Sequence, residues 1–400
     1  MNLVFPLIEF AWIDLGDIMV PGTATIANNA PSIFGFGAVK QLSAAMKGLD
    51  ISRPLICTDA GIVACGLIER VLTELSEIPT IFAETPPNPD ETAVLAATAT
   101  YKAKGCDGVI AVGGGSSLDL GKAVTLCATH EGALENFTTH MGGAARIGHV
   151  APLIAIPTTA GTGSEVARAS VLILNSGEKR IVASVNLIPK LAILDPELTL
   201  GLPPLLTAAT GMDAVTHCIE AICSPVENPN AEAIGIDGLG RALGGGALLA
   251  AVNDGTDRQA RGDMLMASTQ GAMAFSKGLG AVHAMSHACG KDQSLKLHHG
   301  TLNAVLLPPV LRLNIKTAGH KYNKIAKAMG LAEDVDLAQE IINLNATLGL
   351  PSSLCSMGIT VDMIPDMAGH CMKDMCTTTN PTSMTYDLYV ELFEKALVNE

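Results

Sequence analysis

An α/β domain followed by an all-α domain is the architecture that this 400-residue sequence predicts, and three observations carry the prediction. Between about residues 30 and 200, short apolar runs alternate with longer stretches of helical period, the pattern of a parallel sheet joined by crossover helices. Beyond about residue 205, strand-like runs vanish and helical stretches with small-residue faces take over. At the change of texture stands GLPP, residues 201–204, a hinge because a proline pair disfavours helix around it. The expected domains are therefore 1–204 and 205–400.

The first expected strand is PLICTD (54–59), closed by Asp59 and Gly61, after which GIVACGLIERVLTEL has helical period. TIFAE (80–84) reads as a second strand, followed by a PPNPD turn and the Ala-rich helix ETAVLAATATYKAKG. GVIAVGGG (108–115) leads into the helix SSLDLGKAVTLCA, and PLIAIPTT (152–159) and LAILDP (191–196) add two more strands. In the second half, TAATGMDAVTHCIEAICS, RALGGGALLAAVNDG, RQARGDMLMASTQGAMAFS and ITVDMIPDMAGHCMKDMC all read as helices.

Composition excludes several functions. Hydrophobic residues make up 48% and charged residues 16%, which fits a well-buried globular chain. The net charge of −14, with no basic run, argues against nucleic acid, whose phosphates need clustered Lys and Arg. Aromatics at 3% argue against base stacking or a carbohydrate platform. No run reaches the ~18 apolar residues of a membrane span. The ten cysteines are scattered without a CxxC pair, the usage of a reducing compartment, so a cytoplasmic location is expected. The first twenty residues are apolar but carry Glu9, Asp14 and Asp17 and lack a basic n-region. They fit a signal peptide poorly and read as an edge strand or an oligomer contact.

Five stretches carry chemistry. GGGSSLDLGK (113–122) follows a buried strand and opens a helix, so its backbone N–H groups offer an anion site; it is not GxGxxG. IPTTAGTGSEV (156–166) offers the hydroxyls of Thr158, Thr159, Thr162 and Ser164. Both loops should face one crevice beyond the carboxyl ends of the strands. Asp59 can bind a ribose diol and repel a 2′-phosphate, which favours NAD over NADP, or it can serve only as a helix N-cap. In GMDAVTHCIEA (211–221), Asp213 and His217 stand at i and i+4 on one helix face. In GAVHAMSHACGKDQSLKLHHG (280–300), His283 and His287 repeat that spacing, and His298 and His299 follow a loop. One carboxylate with several imidazoles is a ligand set for divalent Fe or Zn, although His pairs also pack as satisfied core groups.

In this order and spacing, GGGSSLDLGK, PTTAGTGSEV, LAILDPELTLGLPP, GMDAVTHCIEA and VHAMSH…HHGTLNAVLLP resemble the iron-containing (group III) alcohol dehydrogenases. The resemblance runs from about residue 30 to the C-terminus and includes Asn380–Pro381. It implies an α/β N-terminal dinucleotide-binding domain plus an all-α C-terminal domain, the dehydroquinate synthase-like fold, with a metal in the cleft between them. The family's metal ligands fall on Asp213, His217, His283 and His299, and its additional cleft histidine falls on His287. Its cofactor contacts fall on Asp59, Gly114, Gly115, Ser116, Asp119, Thr158, Thr159, Thr162, Lys179 and Leu198. The chain departs from the family in three places: a longer stretch between His287 and the HG histidine, His298 in place of proline, and Thr382 in place of arginine. With the register shifted by one, His298 rather than His299 would be the fourth ligand.

The implied reaction is hydride exchange between NAD(H) and a primary alcohol or aldehyde, with Fe2+, Zn2+ or another divalent ion as Lewis acid; His287 is the candidate proton relay, the other role open to it being to orient a ligand or stack on the nicotinamide. Lys291 and Lys296 in the longer loop leave open a reductase of a carboxylate-bearing semialdehyde or keto acid, similar to hydroxybutyrate dehydrogenase or maleylacetate reductase. A lyase resembling dehydroquinate synthase would need more cations near the histidines, and a fold without turnover would not need the full ligand set. The expected partner is a small molecule, and the chain itself is expected to form a homodimer or larger homo-oligomer.

Overall fold

The computed structural model describes residues 29–398, Asp292 excepted; the apolar first twenty residues lie outside the described residues. The strands are β1 (Ser32–Phe34), β2 (Pro54–Cys57), β3 (Thr80–Phe82), β4 (Gly108–Gly113), β5 (Leu153–Pro157), β6 (Ala169–Ile173), β7 (Lys179–Ala183) and β8 (Leu191–Leu194). Six of them form a parallel sheet in the order β1-β8-β5-β4-β2-β3. Helices α1 (Leu42–Gly48), α2 (Ala60–Ala64), α3 (Leu67–Leu72), α4 (Glu91–Ala103) and α5 (Gly115–Thr129) connect them.

Every residue of β2, β4 and β5 is buried, because helices cover both sheet faces and alternate side chains enter opposite cores. Leu55, Cys57, Val109, Ala111, Leu153 and Ala155 join one core with residues of α4 and α5. Ile56, Ile110, Val112, Ile154 and Ile156 join the other with residues of α1 and α3. The chain runs from β2 outward to β3 but from β4 the opposite way, to β5 and β8. The β2–β4 boundary is thus the topological switch point, where a crevice opens beyond the strand ends.

From Pro204 onward the described residues form only helices and turns. These are α6 (Pro204–Cys223), α7 (Pro229–Leu239), α8 (Ala247–Asn253), α9 (Arg258–Ala274), α10 (Ala281–Cys289), α11 (His299–Ala328), α12 (Leu337–Thr347), α13 (Ile364–Cys371) and α14 (Tyr386–Val398). Buried from Thr207 to Cys223, α6 is the central post, with α7, α8, α9 and α11 packed on it. Pro308 and Pro309 sit inside α11, where a proline leaves the carbonyl four residues back without its helical donor. Asn345 of α12 supplies the missing donor, its Nδ2 giving a 2.7 Å hydrogen bond to the Ala304 carbonyl. Among the described residues no helix is long and apolar enough to cross a membrane.

Three expectations need correction. GIVACGLIERVLTEL is two short helices interrupted at Gly66, and RALGGGALLAAVNDG is a π turn (Gly240–Gly244) broken from α8 at Gly246. Glycines without a side chain to hold the helical backbone make both breaks. ITVDMIPDMAGHCMKDMC is helical only at Ile364–Cys371, flanked by short 3₁₀ turns. The sequence also gave no warning of the antiparallel β6–β7 hairpin, which stands apart from the main sheet.

One partly buried ion cluster predicts acid behaviour. Glu232 on α7 accepts from Lys277 and Lys324, each at 3.0 Å, with Lys321 at 3.8 Å. Burial raises its pKa, but the lysines outweigh burial and bring it down to about 2. A depressed carboxyl gives stability that is complete above its unfolded value of about 4.3 and is lost as pH falls through the folded value. Urea midpoints should therefore drop between about pH 4.5 and 2. Glu232→Gln should be less stable at pH 7 and show a shallower acid limb; an identical limb would remove Glu232 as its source.

Candidate active site

Asp213 and His217 lie one turn apart on α6, His283 and His287 one turn apart on α10, and His299 is the first residue of α11. The Nε2 atoms of His217, His283 and His299 lie 3.7, 3.7 and 3.6 Å from Asp213 Oδ1. Donors of a tetrahedral ion with bonds of about 2.1 Å lie about 3.4 Å apart; Asp213, His217 and His283 offer ligand atoms that all lie within 4.8 Å of one another, the spacing of a shared divalent cation, and His299 approaches the same carboxylate. His298 is exposed and makes none of these contacts; the geometry gathers His299.

Two of the three rings, His283 and His299, are held from behind, while His217 Nδ1 is buried without a hydrogen-bond partner. Glu220 Oε2 accepts from His283 Nδ1 at 2.6 Å, while the same carboxylate accepts from Gly280 N and Val282 N at the start of α10. Ser286 Oγ shares a 2.8 Å hydrogen bond with His299 Nδ1. Asn303 Nδ2 donates to Asp213 Oδ1 at 2.7 Å and also lies 3.2 Å from His283 Nε2 and 3.3 Å from His299 Nε2. Its Oδ1 is buried with no hydrogen-bond partner. A carboxamide has two N–H groups, one too few for the three acceptors that converge on it.

Electrostatics point the same way. Burial pushes His217 down to about 4 and His299 well below its ordinary value. Burial acts on His283 too, but Asp213 and Glu220 outweigh it and hold that ring up at about 9. Burial also opposes the Asp213 carboxylate, yet the surrounding imidazoles keep it well below the usual carboxylate range. The cluster thus stabilises positive charge at its centre while leaving two rings neutral, the form in which imidazole donates its lone pair to a metal.

His287 stands beside this cluster. Its ring stacks on His299 at 5.5 Å between centroids, and its Nδ1 donates to Asp374 Oδ2 at 2.9 Å. Asp374 is fixed in turn by Cys376 N, which donates to Oδ1 at 2.8 Å. Burial opposes this carboxylate, but His287 and the Cys376 N–H hold its pKa far down. The pair fixes His287 with its Nε2 available to the cleft.

At the sheet end, Gly113 of β4 pairs with Pro157 of β5, so the loops that follow leave from the same edge. A Cβ on Gly115 would sit 2.7 Å from Thr162 Cγ2, so the two loops press together. This edge gathers Asp59, Gly114, Gly115, Ser116, Thr158, Thr159 and Thr162. Asp59 caps α2 through Gly61 N and Ile62 N, and its other oxygen accepts from Ser117 Oγ at 3.2 Å. Ser116 Oγ donates to the Pro87 carbonyl, and Thr158 is buried. Asp119 ties α5 to Ser164 and to Val171 N, and Leu198 is packed in the core. Lys179 opens β7 across the cleft, lining it with His287.

Glu220, Ser286, Asn303 and Asp374 were not anticipated. Glu220 stands three residues after His217 and Asn303 four after His299, so helical spacing could have exposed both. Asp374 lies far along the chain, and no local spacing links it to His287.

Residues 30–196 match the model for iron-containing alcohol dehydrogenases, and residues 207–397 match that for the C-terminal domain of the Fe-containing alcohol dehydrogenase family. The chain is 47% identical to 4-hydroxybutyrate dehydrogenase of Cupriavidus necator, over 90% of this chain and 97% of that one. It is 34% identical to the NAD-dependent methanol dehydrogenase of Bacillus methanolicus, over 92% and 98%. The solved alcohol dehydrogenase from Oenococcus oeni superposes with a TM-score of 0.88 at 29% identity, over 94% of this chain and all of that one (100%). The chain belongs to the iron-containing alcohol dehydrogenase family of oxidoreductases.

Proposed function

We propose that this oxidoreductase interconverts a primary alcohol and its aldehyde, using NAD(H) and a divalent metal held by Asp213, His217, His283 and His299. The observation that carries the reading is the convergence of three Nε2 atoms on Asp213 Oδ1 at 3.6–3.7 Å. The family, and relatives whose names specify primary alcohols and NAD, support it. When bound, the metal supplies Lewis acidity and the nicotinamide takes or gives hydride.

The chain's own groups do the rest. Glu220 and Ser286 fix the tautomers of His283 and His299, so that each presents a lone pair at Nε2. Gly114, Gly115 and the N-terminus of α5 offer backbone N–H groups to a pyrophosphate. Asp59 offers a carboxylate oxygen to a ribose diol, which favours NAD over NADP. His287, held at Nδ1 by Asp374, takes the alcohol proton at Nε2 and passes it to the open cleft.

The test is absorbance at 340 nm with protein, NAD, Fe2+ or Zn2+, and a panel of primary alcohols. Silence across the panel, with NAD and metal both shown to bind, would overturn the reading. His287→Ala should slow turnover about 10²-fold and reshape the pH–rate profile. An unchanged profile would sink the relay role.

A further inference from the structure

We infer that His287, Asp374 and Cys376 form a second metal site, one that takes Zn2+ beyond the ion of the Asp213 cluster, and that filling it inhibits the enzyme. The inhibition rests on the relay role just given to His287; the binding does not. One ligand atom from each of the three residues lies within 4.8 Å of the others. Imidazole nitrogen, carboxylate oxygen and thiolate sulfur together make a ligand set for Zn2+. They do not suit Mg2+ or Ca2+, which take oxygen.

Local structure brings the donors together. Asp374 caps the 3₁₀ turn Met375–Thr379 by accepting from Cys376 N, and the Cys376 thiol hydrogen-bonds to the same carboxylate. From the last turn of α10, His287 Nδ1 donates to it at 2.9 Å. Two protons, one on sulfur and one on nitrogen, therefore point at one carboxylate, and a divalent cation would replace both. The site is open to the cleft: the His287 and Asp374 side chains are 17% and 14% exposed and line it, with Cys376 buried beneath. Water entering from the cleft completes the four ligands that zinc takes. Lys179, Lys291 and Lys373 line the same cleft, and their charge makes this the weaker of the two sites.

The proton movements explain the inhibition. Zinc binds sulfur as thiolate, so the thiol proton leaves to solvent. It binds Nδ1 of a neutral imidazole, so the proton on Nδ1 passes through solvent to Nε2, and Asp374 stays a carboxylate throughout. Nε2, the atom that receives the alcohol proton, is then already protonated. The relay stops although the Asp213 cluster is untouched.

The experiment starts from protein carrying one equivalent of Zn2+ and adds ZnCl2, following heat, bound metal after equilibrium dialysis, and NADH formation. The parent should take up a second equivalent, and turnover should fall about 10²-fold as that site fills. Cys376→Ala keeps the backbone N–H that holds Asp374 but has no sulfur. It should bind the second ion at least about tenfold more weakly and need correspondingly more zinc for the same fractional inhibition. Cys376→Ser, closer in volume, should behave alike and serves if the first variant misfolds. With Co2+ as the added ion, the parent should gain a thiolate-to-cobalt charge-transfer band in the near ultraviolet that both variants lack. A parent that takes up no second equivalent, or variants that bind and respond as the parent does, would overturn the inference. A second ion bound through Cys376 with turnover unaffected would overturn its inhibitory half. No turnover of any alcohol before zinc is added would instead overturn the alcohol dehydrogenase reading, while the cobalt band would still decide the site.

Discussion

Purified Asp213→Asn protein should contain almost no divalent metal, and its rate of NADH formation should fall by ~10³ or more, about 4 kcal/mol of barrier. Asp213 is the carboxylate on which all three Nε2 atoms converge, and those rings keep it ionised. The amide has the same shape and no charge, so the imidazoles would lose the carboxylate that stands at the centre of the three Nε2 atoms. Changing a group that merely orients a ligand costs about 10–100-fold in metal affinity or activity, and a charged ligand should cost more. Elemental analysis of parent and variant prepared side by side measures this. Full metal occupancy with parental turnover in Asp213→Asn would remove the carboxylate from the site.

Gly300→Ala should loosen the same site without touching a ligand. A Cβ at that position would meet the Ala209 carbonyl oxygen at 2.1 Å and its carbon at 2.8 Å, with Asp213 Cβ at 3.2 Å. These first two neighbours are backbone of the buried helix α6 and cannot turn aside. The start of α11 would have to lift by about 1 Å to reach ordinary contact distance, carrying His299 with it. Overpacking of this kind costs about 1–3 kcal/mol, and a shift of about 1 Å at a reacting centre can cost 10²-fold in rate. Thermal melts and metal titration calorimetry should both register the change. Parental values in both would mean that the helices part without moving His299.

The glycine of HHG was legible in the sequence as a motif, but its reason was not, because the reason is an approach between helices some ninety residues apart. The sheet was legible because β4 and β5 are buried on both faces and so appear as unbroken apolar runs ending in glycine or proline. The β6–β7 hairpin was not, since its residues are only partly buried and pair outside that sheet. For the same reason Lys179, expected as a cofactor contact, gave no sign that it would share a cleft with His287 and Lys291. Adjacent histidines at 298 and 299 are equivalent to a pattern reader. What separates them is helical phase: His299 is one turn before Asn303 and faces α6 and α10, whereas His298 precedes the helix and is exposed.

The proposed ligand set is drawn from α6, α10 and α11, three helices that meet at this one cluster. An ion held there is a cross-link between distant parts of the chain, one that the unfolded polypeptide cannot form. By mass action, an ion at a hundred times its dissociation constant adds about 2.7 kcal/mol to the folded state, a large share of the ~5–15 kcal/mol that separates folded from unfolded. The helical half would then gauge the free metal around it. When the ion is scarce, more molecules open, and the population available for hydride transfer shrinks through folding as well as through chemistry.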